Sequence, residues 1–172
     1  MPIEQYLDPI LLVLVSTAAV NDLATRRIPN LLLLAGLSIV LGLRMLSVDP
    51  AASLLAALGG MGLGFAMFLP FYLLRGMAAG DVKLMAVVGA FSGADEAFEI
   101  VVLTWCVGGV MGLCMVLLRG RLRMTLVNIG LLLSGIRAHG SEGLAPPFQQ
   151  SAGAMPYGLA IAIGTIVVLL RH

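Results

Sequence analysis

Two aspartates are the residues of this sequence whose type and placement could do chemistry. Asp81 follows a stretch rich in small residues, 76–80, and precedes a hydrophobic segment, Val82–Gly93. That segment has 12 residues, so as an α-helix it would cover roughly 18 Å of a hydrocarbon core roughly 30 Å thick. Asp81 is therefore expected below the membrane surface, where an ionisable side chain indicates a functional site. The alternative is that Asp81 is only the N-cap of this helix.

Asp22 is the second candidate. It lies near the end of the first hydrophobic segment, one turn before Arg26 and Arg27, and so at the inner edge of the hydrocarbon. Two carboxyl groups at one low-dielectric site cannot both ionise cheaply, so they titrate as a pair. One can take a proton from water while the other, still protonated, polarises a carbonyl, as in aspartic proteases. The simpler alternative for Asp22 is an i,i+4 ion pair with Arg26.

Composition identifies the environment in which these carboxylates would work. The chain has 172 residues, of which 60% are hydrophobic and 11% charged, with a mean hydropathy of +1.05, which indicates a polytopic membrane protein. The net charge of +1 gives no indication of a nucleic-acid partner. Cys106 and Cys114 lie in an apolar run without C-x-x-C spacing, and the histidines are His139, in a loop, and His172, at the end. We therefore predict no metal site and no cofactor.

The apolar segments predict an all-α membrane protein with one domain, 1–172, and six transmembrane helices. Gly60 and Gly64 in the third helix are spaced for close helix packing, and an acidic connection, 95–99, is expected before the fifth helix. In the last connection, Met124–Ile136 has only 13 residues and is predicted to be a short interfacial helix. The six predicted spans are Tyr6–Thr25, Leu31–Leu46, Ala51–Leu74, Val82–Gly93, Ile100–Leu118 and Pro156–Leu170.

The distribution of charge predicts the orientation. The connections between helices one and two, three and four, and five and six hold eight of the ten basic residues. The other side keeps Arg44 and Arg171, with six of the nine acidic residues. Both termini are therefore expected outside the cytoplasm. Asp22 and Asp81 then lie at membrane depth on the cytoplasmic side, whereas Glu142 belongs to a polar loop and is expected to be solvated.

Three short blocks of sequence surround the two aspartates and the last helix. They are Asp22 with R-I-P-N at 27–30, A-G-D-V-K-L at 79–84 with G-A-F at 89–91, and P-Y-G at 156–158. Together and in this order they closely resemble the type IV prepilin peptidases, membrane aspartic peptidases of the G-x-G-D type. The resemblance implies that Asp22 and Asp81 are the catalytic pair. It implies supporting or substrate-facing positions for Gly80, Lys83, Asn30, Pro156 and Tyr157.

The resemblance also implies a substrate and a location. The substrate is a pilin precursor whose short basic leader is cut at the cytoplasmic face of the bacterial inner membrane, next to the pilin's hydrophobic helix. Long family members carry an N-terminal insert with paired cysteines, associated with methylating the new N-terminus. Nothing in this sequence matches that insert, and the chain resembles the short branch that serves tight-adherence (Flp) pili. The first glycine of G-x-G-D is Ala78 here, and we predict that its φ is negative because alanine resists positive φ.

Other functions and simpler roles remain open at this point. A small transporter or channel could use intramembrane aspartates to bind cations or relay protons, although the sequence has neither an internal repeat nor an interrupted pair of helices. An inactive scaffold of the pilus export machine is the third possibility, because of Ala78. Lys83 could simply extend to the interface or act electrostatically beside Asp81. Tyr157 could simply be an interfacial aromatic. The oligomeric state is not predicted.

Overall fold

The computed structural model describes residues 4–74, 76–118 and 156–171, and within these ranges it is all-helical. The predicted all-α class is therefore confirmed for these residues. The predicted interfacial helix Met124–Ile136 lies outside the described residues, as do Arg75 and Glu142. The helices are α1 (Glu4–Thr25), α2 (Asn30–Met45), α3 (Pro50–Leu73), α4 (Ala79–Ser92), α5 (Ala94–Leu118) and α6 (Tyr157–Leu169).

The chain forms two compact units. The first comprises residues 1–107 and 156–172, and it contains both aspartates. The second comprises residues 108–155, of which the structure describes 108–118, the C-terminal part of α5. The expectation of a single domain over 1–172 stays a prediction.

Three of the described helices are long and apolar enough to cross a membrane, judged by length and composition. They are Gln5–Thr25, Pro50–Leu73 and Ala94–Met115. The segments Asn30–Met45 and Tyr157–Leu169 are apolar but shorter. These apolar helices indicate that the chain is a membrane protein. The number of six spans stays a prediction.

The closest helix contact lies between α3 and α4. Gly60 and Gly64 of α3 are buried against α4, and a side chain at Gly60 would overlap the carbonyl oxygen of Gly89. A Cβ at Gly64 would lie 2.5 Å from the carbonyl oxygen of Met85, closer than real Cβ contacts. The prediction of close packing at these two glycines is confirmed. Because main chain meets main chain, α4 is held tightly against α3.

The ends of α4 differ from the prediction. The helix begins at Ala79, three residues before the predicted Val82, and it ends at Ser92. Gly93, with φ 83, alone connects it to α5. The predicted acidic connection is wrong, because residues 95–99 lie within α5, where carboxylates in the first turn are stabilised by the helix dipole. With 14 residues, α4 is about 21 Å long and still shorter than the hydrocarbon core.

A buried arginine holds the C-terminal end of α4. Arg44, near the end of α2, donates from Nε to the carbonyl oxygen of Ala90 at 3.1 Å and from Nη2 to that of Phe91. Its Nη1 donates to the carbonyl oxygen of Ser53 in α3 at 3.2 Å. The last carbonyl groups of a helix lack hydrogen-bond partners within the helix. The guanidinium donates hydrogen bonds to two of them and so connects α4 to α2 and α3.

Candidate active site

Asp22 lies in the last turn of α1 and is 6% exposed. Its Oδ2 accepts a hydrogen bond from the backbone N–H of Gly158, 2.8 Å away, at the start of α6. The first N–H groups of a helix have no partner within it and form a natural site for an anion. Arg26 also attracts the carboxylate electrostatically. The hydrogen-bond partner that the structure shows for the Asp22 carboxylate is thus the main chain of α6, and Arg26 acts on it only through its charge.

Gly158 is required by this contact. A Cβ at that position would lie 2.8 Å from Oδ2 and 3.0 Å from Cβ of Asp22. Any side chain would therefore push the carboxylate away from the N–H that binds it. The P-Y-G block had indicated Pro156 and Tyr157, but the group that contacts Asp22 is the backbone of its third residue. In the sequence, the feature that could have indicated this contact was a glycine at the start of the last helix.

Asp81 is the third residue of α4 and is 5% exposed. Its Oδ2 accepts a hydrogen bond from the backbone N–H of Ala78 at 3.2 Å. The N-cap is Ala78, so the reading of Asp81 as the N-cap is wrong. A third-position carboxylate that reaches back to the N-cap N–H is one half of a capping box. Alanine has no polar side chain to supply the other half.

The fold brings the two carboxylates together. The end of α1, the start of α4 and the start of α6 meet, since each of these helices packs against the other two. Asp22 and Asp81 are close enough for their charges to repel each other directly. The sequence places them 59 positions apart, so only the packing of three helices unites them. The two carboxyl groups thus lie in one buried site, where each affects the charge of the other.

Tyr157 extends the same site. It is the first residue of α6, half-buried, and it interacts electrostatically with Asp81. Its phenol can both donate and accept a hydrogen bond. Tyr157 therefore lies near the carboxylate pair, a position that the role of an interfacial aromatic does not require. Pro156, the N-cap of α6, precedes it and sets the entry of the chain into the helix.

Gly80 and Ala78 shape the start of α4. A Cβ at Gly80 would lie 3.4 Å from Cβ of Ile28, so the small residue lets the buried Ile28 of the R-I-P-N block approach. Ala78 has φ −81 and ψ 152, an ordinary extended conformation. The prediction of a negative φ at Ala78 is confirmed, and alanine in place of the family glycine introduces no backbone strain there.

Lys83 and Asn30 form a pair away from the carboxylates. Lys83 Nζ donates to Asn30 Oδ1 at 3.2 Å, and both residues are exposed. Lys83 follows Asp81 by two residues, so the two side chains leave α4 about 200° apart. The hydrogen bond of Lys83 is thus to the start of α2, on another face of α4 from the site that contains Asp22.

No group of three or more His, Cys, Asp or Glu side chains that could hold a metal ion occurs in the described ranges. A carboxylate pair with main-chain donors and a nearby phenol is suited to acid–base chemistry on a bound amide or to proton transfer.

Comparison with known proteins relates this chain to a family. The family model described as "Type IV leader peptidase family" matches residues 9–113 of the chain, which include Asp22 and Asp81. No curated protein and no solved structure matches the chain.

Proposed function

The chain belongs to the type IV leader peptidase family, and on that premise we propose that it is an aspartic endopeptidase that removes the basic leader from prepilins. Family membership supports a peptidase. The observation that carries the aspartic mechanism is the juxtaposition of Asp22 and Asp81, both buried and within direct electrostatic range of each other. We further propose that the substrates are Flp-type prepilins, as the likeness to the short branch implies.

The pair can hydrolyse a peptide bond with water alone. One carboxylate takes a proton from the attacking water, whose oxygen bonds to the scissile carbonyl carbon. The protonated partner donates to the carbonyl oxygen, which lowers the charge that develops there. The tetrahedral intermediate then collapses, the C–N bond breaks, and the leaving nitrogen takes up a proton from the pair. The bonds from Gly158 and Ala78 orient the two carboxyl groups.

The membrane setting of this proposal follows from charge. The carboxylates lie at the C-terminal end of α1 and the N-terminal ends of α4 and α6. We propose six spans with both termini outside the cytoplasm, in the bacterial inner membrane, which places this end of the helices toward the cytoplasm. A pilin leader would reach the site from that side, with the pilin's hydrophobic helix in the bilayer.

The other candidate functions have less support. A proton-relaying transporter would also use buried, coupled carboxylates, but the family match is to peptidases. An inactive scaffold was suggested by Ala78, and its negative φ removes that reason.

Cleavage of an Flp-type prepilin in reconstituted proteoliposomes tests the proposal. Asp22→Asn and Asp81→Asn should each abolish cleavage, because the amide keeps the shape and cannot act as acid or base. The matched control is Asp49→Asn, since exposed Asp49 caps α3 and asparagine caps equally well. Substantial cleavage by either active-site variant would refute the aspartic mechanism.

A further inference from the structure

A groove between α2, α3 and α4 has no part in the proposed chemistry. Its volume is about 400 Å³. Apart from Asn30 and Lys83, its lining is apolar. The apolar residues are Leu33, Leu34, Leu37, Met61, Phe65, Ala86 and Val87.

The groove has one polar end. Asn30 and Lys83, hydrogen-bonded to each other, are the first residue of α2 and the fifth residue of α4. From Asn30 the lining continues along α2 to Leu37, a rise of about 10 Å. The site is thus a slot that begins at the ends of the helices and continues into their apolar midsection.

The groove opens sideways to the surroundings of the helices. Leu34 is 60% exposed and Phe65 is 43% exposed. In a membrane protein such side chains face hydrocarbon, so an apolar chain can enter from the bilayer without passing through water.

Charge at the polar end favours an anion. Among the residues that line the groove, the charged one is Lys83, and its side chain is exposed. The carboxylates at this end, Asp22 and Asp81, are both buried. Lysine's long stem allows its ammonium to reach the interface. An incoming anionic group therefore meets the ammonium of Lys83 there and no acidic side chain among the described lining residues.

We propose that this groove binds an anionic phospholipid, with an acyl chain along the apolar slot and the headgroup phosphate at Lys83. The slot is open toward the bilayer and lined by apolar side chains with the ammonium of Lys83 at one end, which matches an acyl chain joined to a phosphate headgroup.

The charge of Lys83 also disfavours binding of the pilin leader in this groove, because the proposed leader is basic. The lipid site is on a different face of α4 from Asp81, and it does not depend on the proteolytic function.

Native mass spectrometry of the full chain, released in detergent with equal amounts of phosphatidylglycerol and phosphatidylcholine, tests the site. We expect phosphatidylglycerol to be retained preferentially. Lys83→Gln should lower that preference roughly five-fold, the factor that one cation near a membrane surface contributes. The matched control, Arg171→Gln, removes an exposed charge from the end of the chain beyond α6 and should leave the preference unchanged.

A second variant tests the apolar slot. Ala86→Leu fills the groove and should reduce retention of both lipids, whereas Ala56→Leu adds the same atoms at an exposed position outside the lining and should not. Equal retention of the two lipids by the original chain would overturn the proposal. So would displacement of phosphatidylglycerol by millimolar inorganic phosphate or by a pilin-helix peptide, or a two-chain mass that Ala86→Leu abolishes. Displacement by phosphate would instead indicate a free-phosphate site, displacement by the peptide a substrate site, and the two-chain mass a contact between copies.

Discussion

Replacement of Gly158 by alanine tests the geometry of the candidate site most directly. The new Cβ would lie 2.8 Å from Asp22 Oδ2. Ordinary van der Waals contacts begin at 3.4 Å. The carboxylate or the start of α6 must therefore move by about 0.6 Å, and the hydrogen bond from the Gly158 N–H lengthens. A hydrogen bond to a charged group is worth about 1.5–3 kcal/mol.

The expected effect on catalysis follows from that energy. Loss of this bond corresponds to a decrease in kcat/KM of roughly 10- to 150-fold, and misplacement of a reacting group by about 1 Å has a similar effect. Folding should respond differently, because alanine is a better helix former than glycine by about 1 kcal/mol. Gly158→Ala should therefore lose cleavage activity while its free energy of unfolding falls by only about 0.5–2 kcal/mol.

Leader cleavage in proteoliposomes, measured at substrate concentrations below KM, and denaturant unfolding in detergent check the two effects. Gly62→Ala is the matched control, because Gly62 is in α3 and a Cβ there has nothing within 4 Å. It should keep full activity and gain up to about 1 kcal/mol in stability. If Gly158→Ala cleaves as fast as Gly62→Ala, the bond between Gly158 and Asp22 has no role in catalysis and the reasoning fails.

Further predictions concern α4 and the chemistry. Ala78→Gly should lower the free energy of unfolding by roughly 0.5–1 kcal/mol without raising the cleavage rate, because φ at Ala78 is already negative; a faster and more stable variant would contradict this. Gly60→Ala should destabilise the protein strongly relative to Gly62→Ala in the same unfolding assay, since its Cβ meets main chain of α4. Arg44→Gln should cost at least about 1–3 kcal/mol by leaving buried carbonyls of α4 unpaired, measured likewise. EDTA should leave cleavage intact; a loss restored by a divalent ion would indicate a metal mechanism.

The helix boundaries show where sequence patterns are informative and where they fail. The hydrophobic segments predicted all six described helices, and nine of their twelve boundaries agree to within one residue. The start of α5 was misplaced by six residues, because polar side chains in a first turn were taken as a loop. The helix dipole stabilises carboxylates in the first turn of a helix. Polar residues alone therefore do not mark the end of a membrane helix.

The chemistry of the site was also partly readable. Both aspartates were identified from their residue type and their shared membrane depth. The resemblance then implied that they form a catalytic pair. The main-chain donors that hold them were not readable, since a backbone N–H has no residue type. Likewise, the sequence left open a role for Lys83 beside Asp81, whereas side chains two positions apart on a helix point to nearly opposite sides.

The sequence by itself determined the all-helical class, the membrane environment and the two acidic residues, because hydrophobicity and charge act locally along the chain. Tertiary structure alone decided that α1, α4 and α6 meet at the ends that carry Asp22, Asp81 and Gly158. It also decided that Arg44 binds the end of α4 rather than remaining a surface charge. Contacts of this kind join residues 46 to 136 positions apart. They depend on which helix faces fit together, and that fit is set by main-chain approach at glycines, which a hydropathy pattern does not record.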